Sequence, residues 1–328
     1  MSRESKCNFR YVYMFGLFSV VFTVFAFFTF GYMPGNMLQL MTDQYEAKPE
    51  VVRVNATFCN PSEHDELSDI NVIDKMDTEA LYLTFSRYIL TKQIKCCNVS
   101  RAGPGNTFGK NICLDYFNKM KNRCLVYSFG SQFKFDFENA ISKSYRCEIH
   151  TFDPSLSTEG VHIPSGVNFH LIGLSNTDTT FSAPVGFRGE KKWRMQSLSS
   201  IRKSLKHTKR FIDVLKIDIE GWEWKALPEI LQSGVLNYVK QLCLEVHFGY
   251  DIQIIWNGNR AVGYRHLNTT WGNVAIQNQL QTLKRLYDHG FRIFMSDPIK
   301  QWATYHLKQT KKSIDTLVEI SLVNIYNQ

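Results

Sequence analysis

Charge is missing from one long stretch of this 328-residue chain: no Asp, Glu, Lys or Arg occurs from Tyr11 to Thr42. Proline is scarce, at nine residues, and with only 19 glycines this excludes collagen-like or low-complexity architecture. Neither GxGxxG nor GxxxxGK occurs, so both common pyrophosphate cradles are absent. None of the eight cysteines forms a CxxC pair and no Cys/His cluster has zinc-ligand spacing, so structural zinc is not expected. No internal repeat is visible. What charge there is lies unevenly. The net is +8, but residues 1–10 carry +2 and residues 43–80 set ten acids against three bases, a net of −7, which leaves +13 for 81–328.

The uncharged stretch holds YVYMFGLFSVVFTVFAFFTFGY, residues 11–32. As a helix it would reach about 33 Å, enough for the roughly 30 Å hydrocarbon core. A cleaved signal peptide has an apolar core of about 7–15 residues and small residues at its end; this run is longer and ends in Phe28-Thr29-Phe30. The expectation is a retained transmembrane signal anchor over 11–32. The basic flank at 1–10 makes that segment a cytoplasmic tail and the protein a single-pass type II membrane protein facing the ER/Golgi lumen or the exterior. Sequons at Asn55, Asn98 and Asn268 agree with that side, and Asn60 is excluded by the proline that follows it. Seven of the cysteines would then meet an oxidising compartment, and seven being odd, at least one stays free or pairs between chains.

Residues 33–80 read as an acidic luminal stem, or as a loosely packed N-terminal lobe. Beyond them, over 81–328, apolar β-rich runs alternate with helical spacing. Strands are predicted at 123–130, 147–153, 167–175, 211–219, 239–248, 291–295 and 317–325, and helices at 135–145, 197–205, 222–234 and 277–290. That alternation gives an α/β, Rossmann-like, doubly wound parallel sheet, whose ligands bind at the carboxyl ends of the strands. Gly249–Asn273, with Trp256, Arg260, Arg265 and Trp271, reads as a long connection suited to acceptor binding.

The residues at those ends carry the functional reading. The first strand ends in Ser128-Phe129-Gly130-Ser131 and the second in Asp153-Pro154, an acid at the distance where doubly wound folds bond a ribose diol. Without a phosphate signal, the pair points to a nucleoside lacking phosphates, and S-adenosylmethionine fits. The fourth strand ends in Lys216-Ile217-Asp218-Ile219-Glu220-Gly221 and the fifth in Glu245-Val246-His247. Acids following buried apolar runs are costly unless used. Cys124 and Cys147 each lie six residues before a strand end, which sets them level if the two strands are neighbours and predicts a disulfide. Cys113 with Cys96 or Cys97 is the next pairing.

GKNICLDYF, CLVYSFG, FENAI, CEIHTFDPS, DVLKIDIEGWEWKALPEIL and QLCLEVHF resemble the methyltransferase-like protein 24 family, itself similar to FkbM-type S-adenosylmethionine-dependent methyltransferases. The resemblance covers about 80–328 and implies a class I methyltransferase sheet. In it Ser128, Phe129, Gly130, Ser131 and Leu174 would serve the cofactor, and Asp153 its ribose. Methyl transfer to a hydroxyl benefits from a base, for which His247 is the first candidate and Asp218 the second, with Glu245 beside them. Asp218, Glu245 and His247 could instead hold a divalent metal. Competing readings are a Golgi glycosyltransferase using Asp218-x-Glu220 for its metal, and an inactive methyltransferase-fold binding module suggested by Phe133 and the single turn glycine. The expected acceptor is an acidic glycan, a protein or a small hydroxylated molecule, with nucleic acid excluded by topology. The +13 of the last segment favours an acidic acceptor or an anionic surface.

Overall fold

The computed structural model describes residues 53–55 and 70–327, apart from 106–108, 116, 118–123, 157–161, 183–191, 248–251, 258–259, 267–272, 300–303, 308 and 316. The expected tail at 1–10, the anchor at 11–32, Asn268 and Trp271 lie outside the described residues. Among the described residues no helix is long and apolar enough to cross a membrane.

Seven strands form the central sheet: β1 Leu125–Phe129, β2 Glu148–Phe152, β3 Val167–His170, β4 Val214–Ile217, β5 Gln241–His247, β6 Phe291–Pro298 and β7 Leu317–Asn324. Their order is β6-β7-β5-β4-β1-β2-β3. β1 to β5 run parallel to their neighbours, whereas β7 is antiparallel to both β5 and β6. The sheet is therefore mixed rather than wholly parallel. It follows the doubly wound order 3-2-1-4-5-6 with one antiparallel strand inserted before the last. β1, β4 and β5 are buried at every position, as expected of strands covered on both faces.

The five longer described helices are α1 Thr78–Leu90, α2 Asp136–Tyr145, α3 Leu198–Ser204, α4 Glu223–Gln232 and α5 Asn273–Asp288. Phe85, Ile201, Ile230 and Leu283, from α1, α3, α4 and α5, share one core with Tyr127, Leu215 and Leu242 of the sheet. Phe137 and Ile141 of α2 pack in a second core with Val126, Ile149 and Val214. Asp77 caps α1, its Oδ1 accepting from Ala80 N at 2.8 Å, and Ile73 is wholly buried. Packing thus reaches back into the segment read as stem.

Three expectations shift. The strand expected over 167–175 is two: His170 ends β3, and Gly173–Leu174 pairs with Lys192–Gln196 in a separate three-stranded sheet with Thr179–Ser182. The connection after β5 contains an antiparallel hairpin, Ile252–Asn257 with Arg260–His266. Arg53–Asn55, Asn98–Ala102 and Lys110–Cys113 form a further antiparallel sheet that periodicity did not announce. In it Asn55 stands opposite Asn98, and Asn98 is exposed, its side-chain amide donating to Asp115 at 2.7 Å.

Both cysteine pairings are present. Cys124–Cys147 joins the starts of β1 and β2 with Cα atoms 4.7 Å apart, and Cys96–Cys113 ties the Lys110–Cys113 strand to the residues after α1. Cys243 is the free cysteine among the described residues; it is buried in β5, and burial pushes its thiol up to about 11. Replacing Cys124 and Cys147 by serine is expected to lower stability by roughly 3 kcal/mol, from the loop the bond closes. Urea unfolding of the oxidised wild type against the double variant measures it.

Candidate active site

The carboxyl ends of β1, β2, β4 and β5 open into one cavity of about 580 Å³, within the usual range of small-molecule sites, about 300–1,000 Å³. Phe129 and Phe152, stacked at 4.6 Å, and Leu174 give it an apolar wall. Gly130, Ser131, Asp153, Asp218, Glu245 and His247 line it too. The two groups of residues expected at the strand ends therefore share one space. Ser128 does not line it: side chains alternate along a strand, and Ser128 is turned beneath α2, fully buried with its hydroxyl unpartnered.

Gly130 is required by geometry. Its φ is +82°, and a Cβ there would lie 1.7 Å from the Asp218 carbonyl oxygen, so β1 and β4 approach as closely as they do only because no side chain intervenes. The turn continues through Gln132 and Phe133 at φ +46° and +57°. Two consecutive non-glycine residues in the left-handed region need fixing from outside, and Asp153 supplies it. One of its carboxylate oxygens accepts from Ser131 N and Gln132 N, both at 3.0 Å; the other accepts from Ser155 N at 3.0 Å and Ser155 Oγ at 2.6 Å. Asp153 thus clamps the turn to the end of β2, and it can bond a ligand diol only by releasing one of these donors.

At the β4 and β5 ends a lysine missed by sequence reasoning organises the charge. Lys110 is 2% exposed, and its Nζ lies 2.5 Å from Glu319 Oε1, 3.2 Å from Asp218 Oδ2 and 3.3 Å from Glu245 Oε2. Burial alone would lower its pKa; Asp218, Glu319 and Glu245 hold it above the usual lysine value. Burial likewise opposes ionisation of Asp218, yet Lys110 and Lys216 keep that carboxyl well below the usual range. Glu245 goes the other way, pushed up to about 8 by burial and by Asp218.

His247 is fixed by Glu223, whose Oε1 lies 2.8 Å from Nδ1 and also accepts from the His247 backbone N–H at 3.0 Å. Burial would lower the imidazole pKa, but Glu223, Glu220 and Glu245 outweigh it and push it up to about 10. That direction favours the imidazolium, a donor without a free lone pair, over the neutral ring that a base would need. Glu220 stands beside it. Its carboxylate stands 3.6 Å from His247 Nε2 with a side chain 61% exposed, it lines the cavity, and its backbone is in the left-handed region at φ +55°. Partial desolvation raises its pKa; His247 opposes this, and Asp218, Glu223 and Asp153 reinforce it.

Asp218, Glu245 and His247 do bring ligand atoms within 4.8 Å of one another. A divalent ion there would have to displace the Lys110 ammonium, so the metal alternative that the sequence left open fits poorly. The chain supplies its own cation at that place. The same two lysines occupy Asp218 in the glycosyltransferase reading of Asp218-x-Glu220.

Comparison with known proteins gives the family. A family model described as a methyltransferase domain matches residues 56–265. "Probable methyltransferase-like protein 24" from Homo sapiens is 29% identical over 223 residues, covering 65% of this chain and 56% of its own length. Its namesake from Rattus norvegicus is 29% identical over 184 residues, covering 51% and 48%. The chain spans about half the length of these curated relatives. Among solved structures, methyltransferase FkbM from Methylobacillus flagellatus aligns over 61% of this chain and 43% of its own, at 11% identity and a TM-score of 0.31, too distant a likeness to carry weight. The family match rests on sequence and covers well over half of the chain, including every strand end that lines the cavity up to β5. The protein belongs to the methyltransferase-domain family.

Proposed function

We propose that the protein transfers a methyl group from S-adenosylmethionine to a hydroxyl of its acceptor, in the secretory pathway, as a type II membrane protein held by residues 11–32. One observation carries the chemical part: a single cavity joins the Gly130 turn, clamped by Asp153, to the acid–imidazolium cluster at the ends of β4 and β5. The donor fits this space by volume, and the orphaned carboxyl oxygens of Glu138 on its wall suit a ligand bearing positive charge. Bound there, S-adenosylmethionine supplies an electrophilic methyl carbon on a sulfonium.

The chain's own residues have two tasks. The first is alignment, which supplies much of the acceleration of an in-line displacement; the Gly130 turn, Phe129, Phe152 and Leu174 would hold the donor against the acceptor. The second is to take the acceptor's proton. Glu220 accepts it, with the imidazolium of His247 beside it and Glu223 fixing the ring. Asp218 and Glu245, tied to Lys110, set the field rather than move protons. The acceptor class follows from charge, and an acidic glycan, a protein or a small hydroxylated molecule suits a segment carrying +13 over 81–328.

Incubation of the protein with methyl-labelled S-adenosylmethionine and fractionated secretory-pathway extract tests the reading, label in a glycan, protein or small-molecule fraction being the expected result. Glu220→Gln should lower kcat by about 100-fold, the lower end of general-base effects, while donor affinity stays unchanged, and should remove the acidic limb of the pH–rate profile. Manganese-dependent binding of a UDP-sugar without donor binding would overturn the proposal in favour of glycosyl transfer. Donor binding with no transfer to any fraction would reduce it to a binding module.

A further inference from the structure

Next to the apolar wall of the cavity lies a second cluster of ligating side chains. Tyr127 and His150 face each other across β1 and β2, as Phe129 and Phe152 do two residues on, so all four share one face of the sheet. His170 pairs with Phe152 from β3 and stacks on it at 4.7 Å. His207, in the loop between α3 and β4, reaches the same face, where its Nδ1 lies 2.8 Å from the Tyr127 hydroxyl. None of Glu148, His150, His170 and His207 lines the cavity, and the proposed transfer uses none of them.

Two imidazoles converge on one oxygen of Glu148. His150 Nε2 lies 2.9 Å from Oε1 and His207 Nε2 lies 3.3 Å from it, and the three ligand atoms fall within 4.8 Å of one another. Atoms bonded to one tetrahedral ion at about 2.0–2.1 Å stand roughly 3.3 Å apart. Each ring is also held from behind, His150 Nδ1 being 2.9 Å from His170 Nε2 as His207 Nδ1 is from Tyr127 at 2.8 Å. With the ring hydrogens on Nδ1, donated backwards, both Nε2 lone pairs face the carboxylate, which is how metal-bound histidines are oriented. The backbone is fixed too: Glu148 N donates to the Cys124 carbonyl at 2.9 Å beside the disulfide, and Arg202 donates to the carbonyls of His207, Thr208 and Arg210. Arg210 is the competing cation, its guanidinium 2.5 Å from Glu148 Oε2 and 3.2 Å from His207 Nε2. Unlike Lys110, which is 2% exposed, it has a side chain 36% exposed, so it can turn to water and leave Oε1 and the two imidazoles to an ion.

We infer that Glu148, His150 and His207 form a zinc site, Oε1 and the two Nε2 atoms supplying three ligands and water the fourth. Two imidazoles with one carboxylate suit zinc, whereas calcium and magnesium take oxygen shells. Motif spacing could not show the site: His207 follows His150 by more than fifty residues and is brought to it by the sheet. The ion ties the start of β2 to the segment that leads into β4, on the face where His170 backs Phe152. With only three ligands from the chain it exchanges with solution, so its occupancy follows the zinc concentration. His170 is a positioning residue, acting through His150. The inference is independent of the methyl-donor reading, since it invokes no ligand in the cavity.

Zinc titration of the untagged full-length chain, stripped with EDTA and held in detergent, tests this by calorimetry and thermal unfolding. The wild type is expected to bind zinc and to unfold at a temperature that rises with zinc concentration. Glu148→Gln and His207→Ala should each weaken zinc by about 100-fold or more, and His170→Phe by about tenfold, the scale of losing a partner that orients a ligand. Arg210→Gln removes the competing cation and should tighten zinc, an outcome opposite to that expected if the cluster serves only as an ion pair. Cobalt in place of zinc should give the visible absorption of a four-coordinate ion in the wild type and in Arg210→Gln, and lose it in Glu148→Gln and His207→Ala. The wild-type and Arg210→Gln readouts do not depend on either ligand variant folding. A wild type that binds no zinc, an unfolding temperature indifferent to zinc, or equal zinc affinity in the wild type, Glu148→Gln and His207→Ala overturns the inference and leaves the donor reading untouched.

Discussion

Replacing Lys110 by methionine is expected to destabilise the protein by roughly 3–5 kcal/mol, the usual cost of removing one partner from a buried ionic group. Methionine keeps most of the stem's volume, so the loss isolates charge from packing. Asp218, Glu245 and Glu319 would then face one another across a few ångströms without the ammonium that now lies 2.5 to 3.3 Å from each. The pH dependence has a definite sign. Without Lys110 the native state holds more protons on these carboxyls than the unfolded chain does, so its stability falls as pH rises. Since Glu245 is already pushed up to about 8 with the lysine present, the deficit should be smaller at pH 5.5 than at pH 8. Urea unfolding of both proteins at those two values measures it. A variant as stable as the wild type at pH 8 would show that water or rearranged side chains replace the cation.

The second large effect is expected at Gly130. Alanine there meets the Asp218 carbonyl at 1.7 Å and must hold φ near +82°. The left-handed conformation alone costs about 1–2 kcal/mol for a residue with a Cβ. The overlap cannot be relieved by a rotamer, because the obstructing atom is backbone. The ends of β1 and β4 must part, which moves Asp218 away from Lys110 and slackens the turn that Asp153 clamps. Gly130→Ala should therefore lose at least about 2 kcal/mol of stability and about 100-fold in donor affinity, the latter equivalent to roughly 2.7 kcal/mol. Thermal unfolding and calorimetry on one preparation read both. Loss of binding with no loss of stability would place the glycine's importance in ligand contact rather than in strand approach.

Much of this site could be read from residues alone, for a physical reason. Parallel strands buried on both faces are written as continuous apolar runs, so DVLKIDI and QLCLEVH show both where the strands are and where their acids emerge. Equal spacing of Cys124 and Cys147 from two such ends was enough to pair them. Periodicity carries no charge balance, however. Lys110 lies more than a hundred residues before Asp218, on a four-residue strand too short to show a period, and without it Asp218 and Glu245 invite a metal reading, just as His247 read without Glu223 invites a base reading. The Ile252–Asn257 and Arg260–His266 hairpin was hidden for another reason: Gln253 and Asn257 break the apolar residues of its first strand, and Arg260, Gly263 and Arg265 those of its second, so neither shows a long continuous run. Ser128 shows the limit of spacing arguments, since one step along a strand separates a cavity wall from the underside of a helix.

The strand Lys110–Cys113 ends in a cysteine that is bonded to Cys96. Two residues separate that bond from the lysine whose ammonium the carboxylates of the cavity depend on. Placement of the counter-ion is therefore expected to depend on thiol oxidation: a chain produced without an oxidant would lack the tie beside Lys110 as well as the bond between the starts of β1 and β2. Material made in a reducing host and found inactive would report on an unfinished bond, and oxidative refolding before assay would distinguish it from a fold that has lost its chemistry.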